Sequence, residues 1–572
     1  MTIKYKLSFP NPHTHYVEVE MHISKITLGS ISLKMAVWAP GSYLIREFQK
    51  NIDFVEWAAE GNSEFNRVEK QDKSTWTIKT NGIKNIIVRY KIYCFEYSVR
   101  TNFIDDTHAL INGTSTFLYI EGYEQLGADI EIIPYKTWQH ISTALPQKEN
   151  NKWCRIAKNT GELFDSPIEI GNHTSYFFDA ANVSHELAMY GKGNCDIEKL
   201  IADLKKIIEI ETSIFGAHPC KNYVFINHLT DSSYGGLEHA HSSVNHITRW
   251  SFSKENYQSA ISLLAHEYFH LWNVKRIKPE AFIPFNYQTE NHTDLLWFFE
   301  GVTSYYDDYI CYRAGVTTEK EYFAVIEKNI NDVVNTPGID TQTLAEASMD
   351  TWLKYYRRNE NSRNSQISYY TQGAVVVMIF DFIILDATNG TKCFDDVLHQ
   401  LYKNYTEQPE KGITENDITQ ILTTVSGIDF SPYIQQFIHT TAPLDVETYA
   451  NLLGLKLINK NIGEDIYIGL STKWKEGKLI ILQLDKNYGA YQGGLNTDDE
   501  IIAIDGYKID KDFGKIYAHK SINNTIDVLI SRQGIIKTYS ITLTQDKRKD
   551  YTLVYMHNRT EKQNTALTKW LR

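Results

Sequence analysis

Apolar and polar positions alternate one for one through the first 165 or so residues. Val17, Val19, Met21 and Ile23 interleave with Glu18, Glu20 and His22, and Val88, Tyr90, Ile92 and Cys94 repeat the pattern. That period of two belongs to half-buried strands. Turn clusters such as Pro40-Gly41-Ser42 and Asn81-Gly82 separate them. The pattern predicts an N-terminal β-sandwich over 1–165; a partly open barrel fits it too. The period changes near Asp165-Ser166-Pro167. From Asp196 a helix is expected, with Ile197, Leu200, Ile201, Leu204 and Ile208 on one face and Gly216 at its end. A strand over 223–227, a Gly-Gly turn and a second helix over about 257–274 complete a mixed α/β unit, 166–318. Amphipathic helices then fill 319–450. Short strands return at 478–483, 500–504, 525–530 and 538–543, predicting a further domain over 451–546. The polar residues 547–572 read as a mobile tail.

Composition narrows the picture modestly. The chain has 572 residues, 42% apolar and 22% charged, with a net charge of −12. So long a chain needs several cores. The acidic balance offers no electrostatic footprint for nucleic acid or an anionic membrane. The longest apolar run, 374–385, is short and broken by Asp381, so no membrane-spanning helix is expected. The start, MTIKYKLSFPNP, lacks the apolar core of a signal peptide, and the six cysteines form no CxxC pair. These features predict a cytoplasmic protein.

The strongest chemical signal is His266-Glu267-Tyr268-Phe269-His270 on the second helix. Residues four apart share a helix face, so both imidazoles can reach one metal, and Glu267 beside them can take a proton from water. In a chain with 19 histidines, HExxH arises by chance about 0.04 times. Catalytic zinc takes three protein ligands and leaves one position open. Glu300, alone in the apolar run Trp297-Phe298-Phe299-Glu300-Gly301-Val302, is the candidate third ligand, since burying it unpaired is costly. His292 competes, though its polar neighbours read as a loop.

The wording of the motifs is specific. HExxH followed by a glutamate on a later helix resembles the gluzincin metallopeptidases. Within that clan the chain is similar to the glycyl aminopeptidase family with a C-terminal PDZ domain. Five segments carry the resemblance: Trp38 through Arg46 (WAPGSYLIR), Gly235-Gly236-Leu237-Glu238-His239, His266 through Arg276 (HEYFHLWNVKR), Glu300 through Tyr306 (EGVTSYY) and Tyr370-Thr371-Gln372-Gly373. The fold it implies is multidomain α+β: a β-sandwich, a thermolysin-like zinc-peptidase domain running into a helical domain, and a PDZ domain. The resemblance implies one zinc ion per chain on His266, His270 and Glu300, with Glu267 as general base. It gives Glu238 the substrate's α-ammonium, with Gly235 and Gly236 allowing close backbone approach. It gives Tyr370 the oxyanion, neighbouring Tyr369 being the competitor.

The chain also departs from the family. Gln372 stands where a lysine is common. Ser304 replaces an aspartate four residues after Glu300, so Asp307 is the candidate to orient a histidine. The segment 273–294 is longer than in better-known gluzincins and is expected to loop near the cleft. His239, His241 and His246 raise the alternative of an auxiliary metal site, with solvent-facing or substrate-lining roles favoured.

The C-terminal pieces Gly489 through Leu495 and Asp499 through Gly506 resemble a bacterial-type PDZ domain. Tyr467-Ile468-Gly469-Leu470 fits its loop for a peptide carboxyl terminus. A packing role for this domain is the alternative. The expected function is a zinc aminopeptidase acting on peptides with a free amino terminus, small residues (Gly, Ala) preferred. The alternatives are a zinc endopeptidase of the same clan, or a PDZ peptide-binding scaffold with a vestigial zinc site.

Overall fold

Strand Tyr16–Ser24 shows why the N-terminal pattern works: Val17, Val19, Met21 and Ile23 are all buried, and the polar residues between them are not. A computed structural model describes residues 1–510 and 513–572. In it this strand lies within a seven-stranded sheet, between Thr2–Ser8 and Ile86–Tyr93. A three-stranded sheet (Tyr119–Ile120, Ser30–Lys34, Thr75–Lys79) contributes Leu33 and Ile78 to the same apolar core. The β-rich region runs past residue 165. Strand Ile168–Gly171 still pairs with His108–Ile111, because Ile168 and Ile170 belong to that core.

The next sheet has five strands: β1 (Thr174–Ala180), β2 (Val183–Tyr190), β3 (Asn222–Thr230), β4 (Gly235–Glu238) and β5 (Ser242–Thr248), in spatial order β1-β2-β3-β5-β4. Helix α1 (Ile197–Phe215) is the crossover between the parallel strands β2 and β3. Asp196 caps its first turn by accepting from the Lys199 N–H, and Gly216 ends it at φ +85°. The expected Gly-Gly turn is instead edge strand β4, with Gly236 opposite Asn245 and Glu238 opposite Ser243. Glycine's freedom suggested a turn, and cross-strand pairing overrode it.

Helix α2 spans Tyr257–Phe269 and stops five residues short of the expected end. The chain turns after His270, so the Asn273 carbonyl folds back onto the His270 ring, which a continuing helix would prevent. Helix α3 (Leu296–Arg313) and the deeply buried α4 (Thr371–Ala387) follow. α3 and α4 approach at two glycines: a Cβ on Gly301 would lie 2.7 Å from the Gly373 Cα.

The chain divides into two units. One comprises Met1–His292, Tyr306–Thr317 and Leu398–Ile413; the other Thr293–Tyr305, Thr318–Val397 and Thr414–Arg572. Helix α3 therefore begins in the second and ends in the first. The second unit holds most of the helical segment 319–450 and an antiparallel sheet containing Leu470–Lys475, Lys478–Leu484, Glu500–Ile504, Thr525–Arg532 and Ile535–Thr542. Within that unit Asp485 accepts from Arg363 Nε at 3.1 Å, and Asn364 bonds the backbone of Leu484 and Lys486.

The expectation of a mobile tail over 547–572 is corrected. Tyr551–Tyr555 pairs with Leu455–Asn459, and Glu561–Trp570 is a helix. Its signals are local: Thr560 and Gln563 form a capping box, and Ala566, Leu567 and Trp570 are buried. Trp570 Nε1 donates to the Tyr305 hydroxyl at 2.9 Å. Among the described residues, no helix is long and apolar enough to cross a membrane.

Candidate active site

His266 and His270 close α2 one turn apart, so their rings share a side. The His266 Nδ1–H donates to Asp307 Oδ2 at 3.0 Å, and the His270 Nδ1–H donates to the Asn273 carbonyl at 2.7 Å. A neutral imidazole carries one N–H. With both protons held outward, the two Nε2 lone pairs face each other at 3.1 Å. Two lone pairs so close repel unless a cation lies between them. Two nitrogens on one tetrahedral zinc would stand roughly 3.3 Å apart, close to what is observed.

Asp307 lies on α3, where burial pushes its carboxyl up against the opposing pull of His266. Two turns earlier on the same helix is Glu300, 3% exposed among fully buried Trp297, Phe298 and Phe299. Ligand-type atoms of His266, His270 and Glu300 lie within 4.8 Å of one another. Two imidazoles and a carboxylate suit a divalent metal such as zinc. His292 is exposed and is not part of this group.

Two carboxylates lie beside the histidines, each seated on a glycine. A Cβ on Gly236 would fall 2.2 Å from Glu267 Oε1. A Cβ on Gly41, whose φ is +86°, would fall 2.4 and 2.5 Å from the two Glu238 oxygens. Gly235, by contrast, has nothing near its Cβ position. Glu238 is 4% exposed, and among the described residues no donor or cationic side chain reaches its carboxylate. Yet Glu238, Glu267 and His270 bring ligand-type atoms within 4.8 Å of one another. Two carboxylates so close and so buried favour positive charge nearby.

The neighbourhood is braced by groups that local sequence does not single out. Asp165 accepts from His239 Nδ1 at 3.0 Å, the Ala240 N–H at 2.9 Å and Lys275 Nζ at 2.8 Å, joining the Glu238 strand to the segment after His270. Burial pushes the Asp165 carboxyl up, but Lys275 and His239 outweigh it and hold it well below the usual range. Sequence reading treated Asp165 only as a boundary mark. Tyr268, on α2, holds its hydroxyl between His185 Nε2 at 2.7 Å and His218 Nε2 at 2.6 Å. His239, His241 and His246 do not converge as a ligand group among the described residues; His246 bonds Ser233 and packs on His228.

Tyr370 stands immediately before α4 with its ring packed on Tyr369 and Tyr355. Burial raises its hydroxyl pKa well above the ordinary value, and the Glu300 charge adds to this. Tyr369 is fully buried with its hydroxyl 2.8 Å from Thr351 Oγ1.

Comparison with known proteins points to one family. The model of the peptidase M61 N-terminal domain matches residues 4–172, and that of M61 glycyl aminopeptidase matches 259–376. The solved structure of an aminopeptidase N family protein from Idiomarina loihiensis is 27% identical, covers 100% of both chains and superposes with a TM-score of 0.92. An M1 zinc metallopeptidase from Deinococcus radiodurans is 12% identical over 78% of this chain and 95% of its own, with a TM-score of 0.50, a likeness of fold alone. No curated protein sequence matches.

Proposed function

The chain belongs to the M61 glycyl aminopeptidase family and is a peptidase, and on that premise we propose that it is a zinc aminopeptidase removing small residues, glycine or alanine, from peptides with a free amino terminus. His266, His270 and Glu300 would hold one zinc ion. Bound there, zinc supplies Lewis-acid polarisation of the scissile carbonyl and acidifies water.

The remaining roles fall to this chain's own side chains. Asp307 and the Asn273 carbonyl keep both Nε2 atoms deprotonated and aimed inward. Glu267, seated on Gly236, takes the proton of the attacking water and returns it to the leaving amine. Glu238, seated on Gly41, pairs with the substrate ammonium, so cleavage falls one residue from the amino terminus. Tyr370 donates to the oxyanion. For the small sheet we retain the PDZ reading. The loop at Gly469 (φ +79°), where an added Cβ would lie 2.2 Å from the Tyr488 Cβ, is its site for a peptide carboxyl terminus.

The buried Glu238 side chain beside Glu267 carries the aminopeptidase reading. A hydrogen bond to a charged group contributes about 1.5–3 kcal/mol, roughly 10- to 150-fold in kcat/KM. Glycyl and alanyl anilides should therefore be cleaved at least tenfold faster than their N-acetyl counterparts, and Glu238→Ala should erase most of that gap. Equal cleavage of free and blocked substrates by the parent enzyme would exclude the aminopeptidase and leave an endopeptidase.

A further inference from the structure

The segment that follows His270 lines a cavity of about 620 Å³, in the size range of small-molecule sites. One end is cationic, lined by Lys275, Arg276 and Lys278. Aromatic and proline residues, among them Phe285, Tyr287 and Tyr405, form much of the rest.

The charges there are unevenly matched. Lys275 is neutralised by Asp165 at 2.8 Å. Arg276 spends its guanidinium on the Ala240 and Leu271 carbonyls and Cys220 Sγ, none of them an anion. Lys278 Nζ lies 5.5 Å from the Phe285 ring centre, and among the described residues no carboxylate lies within ion-pair distance of it. Glu124 also lines the cavity, but its Oε1 is turned to the Gly122 N–H at 2.9 Å. Burial, with Lys275 and Arg276 adding to it, pushes the Lys278 ammonium down to about 8, against the pull of Asp165. An amine so placed gains from any anion that enters.

We propose that this cavity is a binding site, separate from the catalytic residues, for a small carboxylate carried on an aromatic or apolar body, with Lys278 as its anion-binding group. The cationic end takes the carboxylate and the rings take the body, the usual division of labour in ligand pockets. The site connects to the catalytic region through Lys275 and Arg276, which also hold Asp165 and Ala240 beside Glu238.

Calorimetry on the zinc-loaded enzyme tests this with N-acetyl-L-phenylalanine, whose blocked amine cannot pair with Glu238, against its C-terminal amide, which lacks the anion. The acid should bind and the amide should bind at least tenfold more weakly. Lys278→Gln should lose binding of the acid and still hydrolyse alanyl anilide; Lys278→Arg should retain both. His270→Ala should keep binding the acid, which separates this cavity from the metal centre. No heat with the acid, equal binding of acid and amide, or undiminished binding by Lys278→Gln would overturn the proposal. Because the readout is heat, its failure is distinct from failure of the aminopeptidase reading.

Discussion

Two clusters in this protein use the same side chains, two histidines and one glutamate, and wire them in opposite senses. In the first, His266 and His270 donate outward to Asp307 and Asn273, so their Nε2 atoms face each other at 3.1 Å. In the second, the His108 Nδ1–H and His228 Nε2–H donate inward to Glu169 at 2.8 and 3.0 Å, and all three residues are fully buried. Their outer nitrogens, His108 Nε2 and His228 Nδ1, have no hydrogen-bond partner among the described residues. Burial pushes the Glu169 carboxyl up, but the two histidines outweigh it and hold it well below the usual range. In both clusters the ligand-type atoms lie within 4.8 Å of one another. Spacing alone therefore does not tell the two clusters apart. Their partners outside the cluster differ, and those partners decide where the ring protons point.

The contrast can be broken outright. Purified protein should carry about one zinc per chain, and chelation should take hydrolysis to background. His270→Ala should do the same by losing the metal. A second tightly held zinc, lost in a Glu169 variant, would show that the two clusters are alike after all. Glu267→Gln comes next in size: it should keep its zinc and lose roughly 10²–10⁴ in kcat, the range for a general base. Zinc loss in that variant would move Glu267 among the ligands.

On the other side of the comparison, Glu169→Ala should leave zinc content unchanged and destabilise the fold by about 3–5 kcal/mol, the cost of breaking a buried ionic network. Denaturant unfolding followed by tryptophan fluorescence would read it. The smallest effect concerns pH. Burial, helped by His228 and Arg100, pushes His246 down to about 3 from an ordinary 6.5. Between those values the unfolded chain binds a proton that the folded chain refuses, so stability is full above 6.5 and falls as pH drops below it. From pH 7 to pH 5 this one group should lose about 2 kcal/mol. His246→Phe should flatten that decline; an unchanged pH profile would place the acid sensitivity elsewhere.

Much of this architecture was legible where neighbours in sequence decide it. The alternation at Val17 to Ile23, the Asp196 cap and the Gly216 stop each depend on residues within one strand or helix. His266, Glu267 and His270 were legible for the same reason, one helical turn placing them together. Asp307 was also within reach, since helical spacing from Glu300 was enough to suspect it. The rest depends on contacts across long stretches of chain. Nothing near Asp165 announces Lys275, 110 residues on, and nothing near Gly41 announces Glu238. Strand β4 was misread because its glycines are ordinary turn residues until β5 pairs with them. The C-terminal helix was overlooked because polar composition outweighed a capping box that was in plain view.

Gly41 and Gly236 have a consequence for how such a chain can change over generations. Every other amino acid adds at least a Cβ, and at both positions the Cβ would meet the end of a glutamate side chain, not backbone. A carboxylate at the end of a flexible side chain can swing aside at little cost to folding. Substitution at Gly236 should thus leave the fold standing with Glu267 displaced, whereas Gly41, at φ +86°, adds backbone strain to the displacement of Glu238. In a mutational scan Gly236 should look permissive to a selection for expression and closed to a selection for activity, and Gly41 closed to both. A lineage that drifts through Gly236 would keep the protein and, on the role proposed for Glu267, lose the enzyme.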